Sequence, residues 1–362
     1  MAAPPEHLSE LLNEFPEVGT AFAYGSAVFP QSGYTEQQIK ASMTDLIFCV
    51  DDPMAWHQEN LRRHPAHYST LQLLGPAAIT AVQERVGAGV YYNTLVRVRG
   101  RLIKYGVTSR LTLHDDLLHW RSLYLSGRMH KPVLFLKPPC SEFMSAARAN
   151  LRGALAAALL LLPSRFQETE LLGSICGISY AGDVRMGVGE SWGKVSSIVQ
   201  GQHGALTSLY AGTIAELQQE SPGILTADGS VGARAGFSSF EQDLGLEARC
   251  KVLELLPSNA RRELFTRLSP NYAALPSAWQ TRDAALAPPP SAELRSAVEG
   301  IWRQSAGTDD ANLRLADAMR GSLSKIVRRA SVGQTLKGVL TAGGAKAGRY
   351  AFNKIAKRIR AG

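Results

Sequence analysis

Asp45 opens a continuous apolar run, Leu46-Ile-Phe-Cys-Val50, and an earlier apolar run ends in Tyr24-Gly25-Ser26. A Gly-Ser turn offers backbone N–H groups to a polyphosphate. An aspartate at the head of a neighbouring strand can hold a divalent cation that neutralises charge on phosphorus and on a departing pyrophosphate. Turn and carboxylate together describe a nucleotidyltransferase site. Taken alone they describe it weakly, because Gly-Ser turns and strand-edge aspartates are common. The surrounding elements have to carry the rest.

Those elements can be placed by periodicity. Residues 7–15 read as a short helix, Thr20–Ala27 as a strand ending in the turn, and Thr35–Met43 as a helix. Leu46–Val50 is a strand stopped by Asp51-Asp52-Pro53, and Met54–Arg63 is a helix with Asp52 as N-cap and Pro53 in its first turn. Val90–Val98 and Arg101–Val107 form a hairpin around Gly100. Leu113–Leu125 reads as a helix with His114, Asp115 and Asp116 in its first turn, and Pro132–Leu136 as a strand. The expected fold class is α+β: a nucleotidyltransferase-like mixed sheet over residues 1–140, then a mainly helical, winged-helix-like unit over 141–269. A Pro-rich linker is expected over 270–291, and a helical segment with a basic tail over 292–362.

Composition narrows the partners. Of the chain's 39 Lys and Arg, eleven lie from Arg320 to Gly362, where there is no Asp or Glu. The net charge of +8 therefore belongs to the tail, and the body is mildly acidic. Such asymmetry points to an anionic surface. Cys49, Cys140, Cys176 and Cys250 form no C-x-x-C pair, which argues for a reduced compartment and against structural zinc. His64 and His67 read as surface or supporting residues, because Pro65 disfavours a shared helical face. The longest apolar run, Ala154–Leu162, is too short to span a bilayer. Residues 1–19 carry Glu6, Glu10, Glu14 and Glu17 and no Lys or Arg, unlike a mitochondrial transit peptide.

Several blocks accompany the turn and Asp45. They are Trp56-His57, Gly89-Val-Tyr-Tyr-Asn93, Gly100-Arg-Leu-Ile-Lys-Tyr-Gly-Val107, Ser126-Gly-Arg128 with Lys131-Pro132, and Gly182-Asp183-x-Arg185. With them the sequence resembles the mitochondrial translocator assembly and maintenance family of phosphatidate cytidylyltransferases (CDP-diacylglycerol synthases). The likeness runs from Phe22 to Tyr210 and resumes at Ser331–Gly344. It implies a nucleotidyltransferase domain joined to a winged-helix-like domain, Mg²⁺ as cofactor, and CTP and phosphatidate as substrates. It also implies peripheral attachment to the matrix face of the mitochondrial inner membrane, in support of cardiolipin synthesis. For a bacterial chain the corresponding place is the cytoplasmic face of the plasma membrane.

The residue chemistry suits that reaction, in which an ionised phosphate must attack the α-phosphorus of an anionic triphosphate. Gly25 and Ser26 are assigned to the triphosphate and Asp45 to the metal. Lys104, on a strand between Ile103 and Tyr105, needs an anion and is assigned to a phosphate. Arg128, Lys131 and Arg185 can receive the lipid phosphate or be ordinary surface charges. Tyr92 and Asn93 can contact cytosine or ribose, or serve the core and a cap. Position 47 is Ile, where many nucleotidyltransferases carry a second carboxylate, and Asp51 lies about 20 Å further along the strand. Asp183 is the first candidate for the second metal ligand, with a turn-forming role as the alternative, followed by Asp115 or Asp116.

In the tail, Phe352, Ile355, Ala356 and Ile359 make one apolar stripe beside Lys354, Lys357 and Arg358. Leu323, Ile326, Val327 and Ala330 make another beside Lys325, Arg328 and Arg329, and Gly343-Gly344 would be the hinge between them. Basic amphipathic helices of this kind lie in anionic headgroups, the alternative being a helix packed on the body. The shortage of interleaved aromatics speaks against nucleic acid as partner. Two other readings stay open: a nucleotidyltransferase acting on RNA or protein, and a non-catalytic membrane-associated scaffold.

Overall fold

The computed structural model describes residues 4–29, 42–186, 193–228, 239–269 and 291–342. The expected helix at 35–43 falls almost wholly outside them, as do nearly all of the expected linker, the Gly343-Gly344 hinge and the stripe at 352–359.

The N-terminal part is built on one sheet. Its strands are β1 (Thr20–Tyr24), β2 (Thr44–Val50), β3 (Val90–Val98), β4 (Arg101–Ser109) and β5 (Leu134–Lys137), in the order β3-β4-β2-β1-β5. β2 pairs parallel with β4 and antiparallel with β1, and the other neighbours are antiparallel. β2 is central and covered on both sides, which is why it reads as an unbroken apolar run rather than an alternating one. Alternation sorts the side chains. Phe22, Ile47, Cys49, Val90 and Tyr92 face one layer, while Ala21, Leu46, Phe48, Tyr105 and Val107 face the other.

Helices complete both layers. A short helix α1 (Glu6–Ser9) runs into a 3₁₀ turn, Glu10–Glu14, so the expected N-terminal helix is split. Helix α2 (Pro53–Arg63) starts on Asp52, whose carboxylate accepts from the N–H groups of Met54 and Ala55. A 3₁₀ turn, Thr70–Leu74, leads into α3 (Gly75–Arg85).

Helix α4 (Arg110–His119) is shorter than the apolar pattern predicts and ends at Trp120 in the left-handed region, φ 54°. The reason is Asp116. It is buried, and its carboxylate accepts from the backbone N–H groups of Ser122, Leu123, Leu125 and Ser126 and from the hydroxyls of Ser122 and Ser126. Satisfying that carboxylate wraps the chain back over the helix end instead of continuing it. The short helix α5 (Ser126–Met129) follows.

From α6 (Ser141–Leu161) onward the chain is mainly helical around its own core. It comprises β6 (Arg165–Gln167), α7 (Glu168–Ile178), α8 (Lys194–Glu220), β7 (Leu225–Asp228), β8 (Ser239–Gln242), α9 (Leu246–Glu254), α10 (Ser258–Leu268), α11 (Ser291–Gln304) and α12 (Thr308–Ala342). The three strands form a small sheet in the order β6-β8-β7. Among the described residues no helix is long and apolar enough to cross a membrane.

Helix α12 corrects the reading of its apolar stripe. Leu323, Ile326, Val327 and Ala330 are buried, packed inward against α10 and α6 rather than turned toward lipid. Beside them Lys325 and Arg329 both reach the buried carboxylate of Glu263 on α10, at 2.5 and 3.1 Å. An apolar stripe flanked by bases has the same spacing whether a bilayer or a second helix covers it. Here the cover is the protein itself.

Candidate active site

The residues brought together lie at one end of the large sheet, on the face of Phe22 and Ile47. The register sets Tyr24 of β1 opposite Asp45 of β2, and Asp45 opposite Lys104 of β4. The Lys104 ammonium lies 3.6 Å from the Asp45 carboxylate and 4.3 Å from the centre of the Tyr92 ring. Gly106 makes room for that ring. A Cβ there would sit 2.6 Å from Tyr92 and 2.7 Å from Val90. The tyrosine can therefore lie across β4 only because residue 106 has no side chain.

The turn after β1 adjoins the carboxylate. Gly25 has φ +85°, and a Cβ on it would lie 3.4 Å from Asp45 Oδ2. Its carbonyl accepts from the N–H groups of Val28 and Phe29, which closes the turn and carries Ser26 within it. Gln202, at a kink in α8, donates to the carbonyl of Phe29 and ties the turn to the helical part.

Cations converge on the same end. The Arg128 guanidinium stacks 3.8 Å from the Tyr124 ring and 5.2 Å from the Tyr24 ring, and it donates to the carbonyl of Tyr124. Arg185 is held by Asp183, whose two carboxylate oxygens take the guanidinium at 3.0 and 2.5 Å. Asp183 is almost fully buried. Lys131 donates to the carbonyl of Gly127 and to the Ser179 hydroxyl, and burial lowers its pKa to about 8, with Arg128 and Lys194 adding to the effect.

Tyr124 reports on the cluster. Burial alone would raise its phenol, but Arg128, Arg185 and Lys104 outweigh that and bring it to about 8. The lowering marks a concentration of positive charge around the Tyr124 hydroxyl.

The expected residues do not all meet. Asn93 follows Tyr92 on β3 and so points to the opposite face, where it pairs with Tyr105. That face holds a buried polar group in which Asn60 donates to the hydroxyls of Tyr68 and Tyr105, and His57 bonds to Tyr68. His67 joins it at Tyr105, with its ring stacked on His64. Asp115 pairs with Arg121, Asp116 is engaged in the loop at 122–126, and Asp51 pairs with Arg110 beyond the far end of β2.

Three contributors were not foreseen: Tyr24, Tyr124 and Lys337. Tyr24 directly precedes the turn and Tyr124 lies two residues before the Ser126-Gly-Arg128 block, so proximity to those motifs was the available signal. Lys337, on α12, is fully buried, donates to the carbonyl of Gln83, and lies close enough to Tyr124 for their charges to interact. Nearby, Gln334 accepts from the N–H of Ala88 and donates to the carbonyl of Val90.

A metal can be accommodated in one way. Among the described residues no three His, Cys, Asp or Glu lie close enough to cage an ion by themselves. Asp45, with its side chain about one-third accessible at 29%, fits a cation shared with a triphosphate, which would keep phosphate and water ligands.

A mixed sheet that presents a strand-borne carboxylate beside a glycine turn, facing clustered cations and tyrosines, has the make-up of a nucleotidyltransferase. Comparison with known proteins sharpens the class. Residues 8–357 match the family described as "Phosphatidate cytidylyltransferase, mitochondrial". A relative of that name from Xenopus laevis is 39% identical over 352 residues, covering 97% of this chain and 94% of its own length. Relatives of the same name from Bos taurus and Schizosaccharomyces pombe are 39% and 33% identical, covering 96% and 98% of this chain and 93% and 84% of their own lengths. The chain belongs to the mitochondrial phosphatidate cytidylyltransferase family.

Proposed function

We propose that this protein transfers the cytidylyl group of CTP to phosphatidate, releasing pyrophosphate and forming CDP-diacylglycerol. The observation that carries the reading is the convergence of Lys104, Arg128 and Arg185 on Tyr124 beside Asp45 and the Gly25 turn. Two anions must meet for this reaction, so their repulsion is the main barrier the site has to lower. Gly25 and Ser26 would receive the triphosphate through the turn, with Lys104 on its phosphates and Tyr92 beneath that lysine. Arg128, Lys131 and Arg185 would hold the phosphatidate headgroup. Because its phosphate is already ionised, the nucleophile needs orientation more than a base.

Asp45 would hold Mg²⁺ together with oxygens of the nucleotide. The ion supplies charge neutralisation when bound. Asp183 remains the candidate for a second ligand. While it is bound to Arg185 its role is to aim that guanidinium, and metal binding would require it to let go.

Attachment to an anionic membrane surface through residues 346–362, on the matrix side of the mitochondrial inner membrane and in support of cardiolipin synthesis, belongs to the same reading. The test is direct: purified protein, labelled CTP, phosphatidate and Mg²⁺. A labelled CDP-lipid with matching pyrophosphate is expected. Label transferred only to RNA ends or to protein would replace the reading, and CTP binding without any product would favour a scaffold.

A further inference from the structure

The stretch from 328 to 337 of α12 has two sides with different business. Inward, Ser331 accepts from the N–H of Val184 next to Arg185, Gln334 bridges Ala88 and Val90, and Lys337 reaches Gln83. Outward, Val332 and Leu336 are 41% and 62% exposed, one helical turn apart, with exposed Arg328 a turn before them and Arg329 alongside. The 3₁₀ turn Thr70–Leu74 packs against the same helix, and its tip carries Leu73 and Leu74 at 82% and 69% exposure. That turn is firm: the Ser69 hydroxyl caps Leu71, and Gly75 closes it onto Gln72.

We propose that Leu73, Leu74, Val332 and Leu336 form a patch that enters the headgroup layer of an anionic bilayer and seats the candidate site against it. The proposal rests on the lipid reading of that site. Large aliphatic side chains held this far into water on two adjoining elements need a cover. Two features select a lipid surface as the cover. Arg328 is exposed beside the aliphatics, as bases are on interfacial helices, while Arg329 next to it is held by Glu263. The chain beyond α12 also continues as a strongly basic segment without an acidic residue. Geometry adds a use: with the outer side of α12 in the headgroups, the phosphate-binding cluster lies about one helix diameter, ~10 Å, from the membrane. A double-chain lipid could then present its phosphate without leaving the bilayer entirely.

The test uses the full chain with its tail intact. Two double variants, Leu73→Gln/Leu74→Gln and Val332→Gln/Leu336→Gln, are floated with vesicles of phosphatidylcholine containing a minority of phosphatidylglycerol, at low and high salt. Each should lose the salt-resistant part of binding, on the order of tenfold in partition. Melting curves and turnover on a soluble short-chain phosphatidate should stay at parental values. Leu74→Trp should gain quenching by lipids brominated on their acyl chains, above that of the parent protein. Unchanged high-salt flotation of both variants, or no added quenching, would overturn the proposal. So would a parental dimer that the variants dissociate without any change in flotation, since the cover would then be a second copy. A parent protein that turns over no phosphatidate would defeat the proposed function, while flotation and quenching would still decide the patch.

Discussion

Two aspartates that look alike in sequence separate at the residue scale. Asp45 and Asp116 are both carboxylates among apolar neighbours, yet only Asp116 is consumed by backbone donors. Asp116→Asn would set an amide against those N–H groups and should cost on the order of 3 kcal/mol of stability in urea unfolding. With Asp45 as the proposed metal ligand, Asp45→Asn should leave unfolding unchanged and lower turnover about 10³-fold, since it would remove a metal-facing charge but almost no volume. Near-normal turnover would take Asp45 out of the mechanism. With Lys104 on the triphosphate as proposed, Lys104→Ala would remove a charge-assisted contact worth about 1.5–3 kcal/mol, which should appear in the CTP dependence at saturating phosphatidate. If only the phosphatidate dependence moved, Lys104 would belong to the lipid phosphate.

Element by element, what was legible is what local pattern decides. The Asp52 cap, the unbroken β2 strand and the hairpin turning at Arg99 and Gly100 follow from neighbours a few residues apart, and the structure has all three. The length of α4 was not legible, because the donors that end it lie on a loop that must first fold back onto Asp116. The stripe on α12 had the right period and the wrong cover, since period carries no information about what lies opposite. The split between Tyr92 and Asn93 was available from strand alternation, which places consecutive residues on opposite faces.

Lys337 on α12 makes a measurable statement at this scale. Burial lowers its pKa from 10.5 to about 8. The unfolded chain therefore binds more protons over that interval, and the folded protein gains stability as pH rises through it, by up to about 3 kcal/mol. Lys337→Met lacks this gain. It should be the more stable protein near neutrality and lose its advantage between about pH 8 and 10.5. Urea midpoints across that range would show it, and a gap that did not close would mean the lysine is not charged and buried together.

For the whole molecule, the proposed attachment would divide its work between charge and apolar surface. Deleting residues 346–362 removes six basic residues, each contributing about 1 kcal/mol near an anionic surface. The truncated chain should float poorly at low salt and still turn over a soluble short-chain phosphatidate. Equal flotation of truncated and full chains would take the tail out of membrane attachment.

The bond from the Ala88 N–H to Gln334 joins positions 246 apart in the chain. Polypeptides emerge from the ribosome N-terminus first, so every strand of the large sheet is made long before the helix that braces the start of β3. Such distant closure also makes assembly slow once the partners exist. A nascent chain halted ahead of Gln334 should thus own most of the sheet yet grip CTP poorly, its nucleotide cradle waiting on the final stretch of translation.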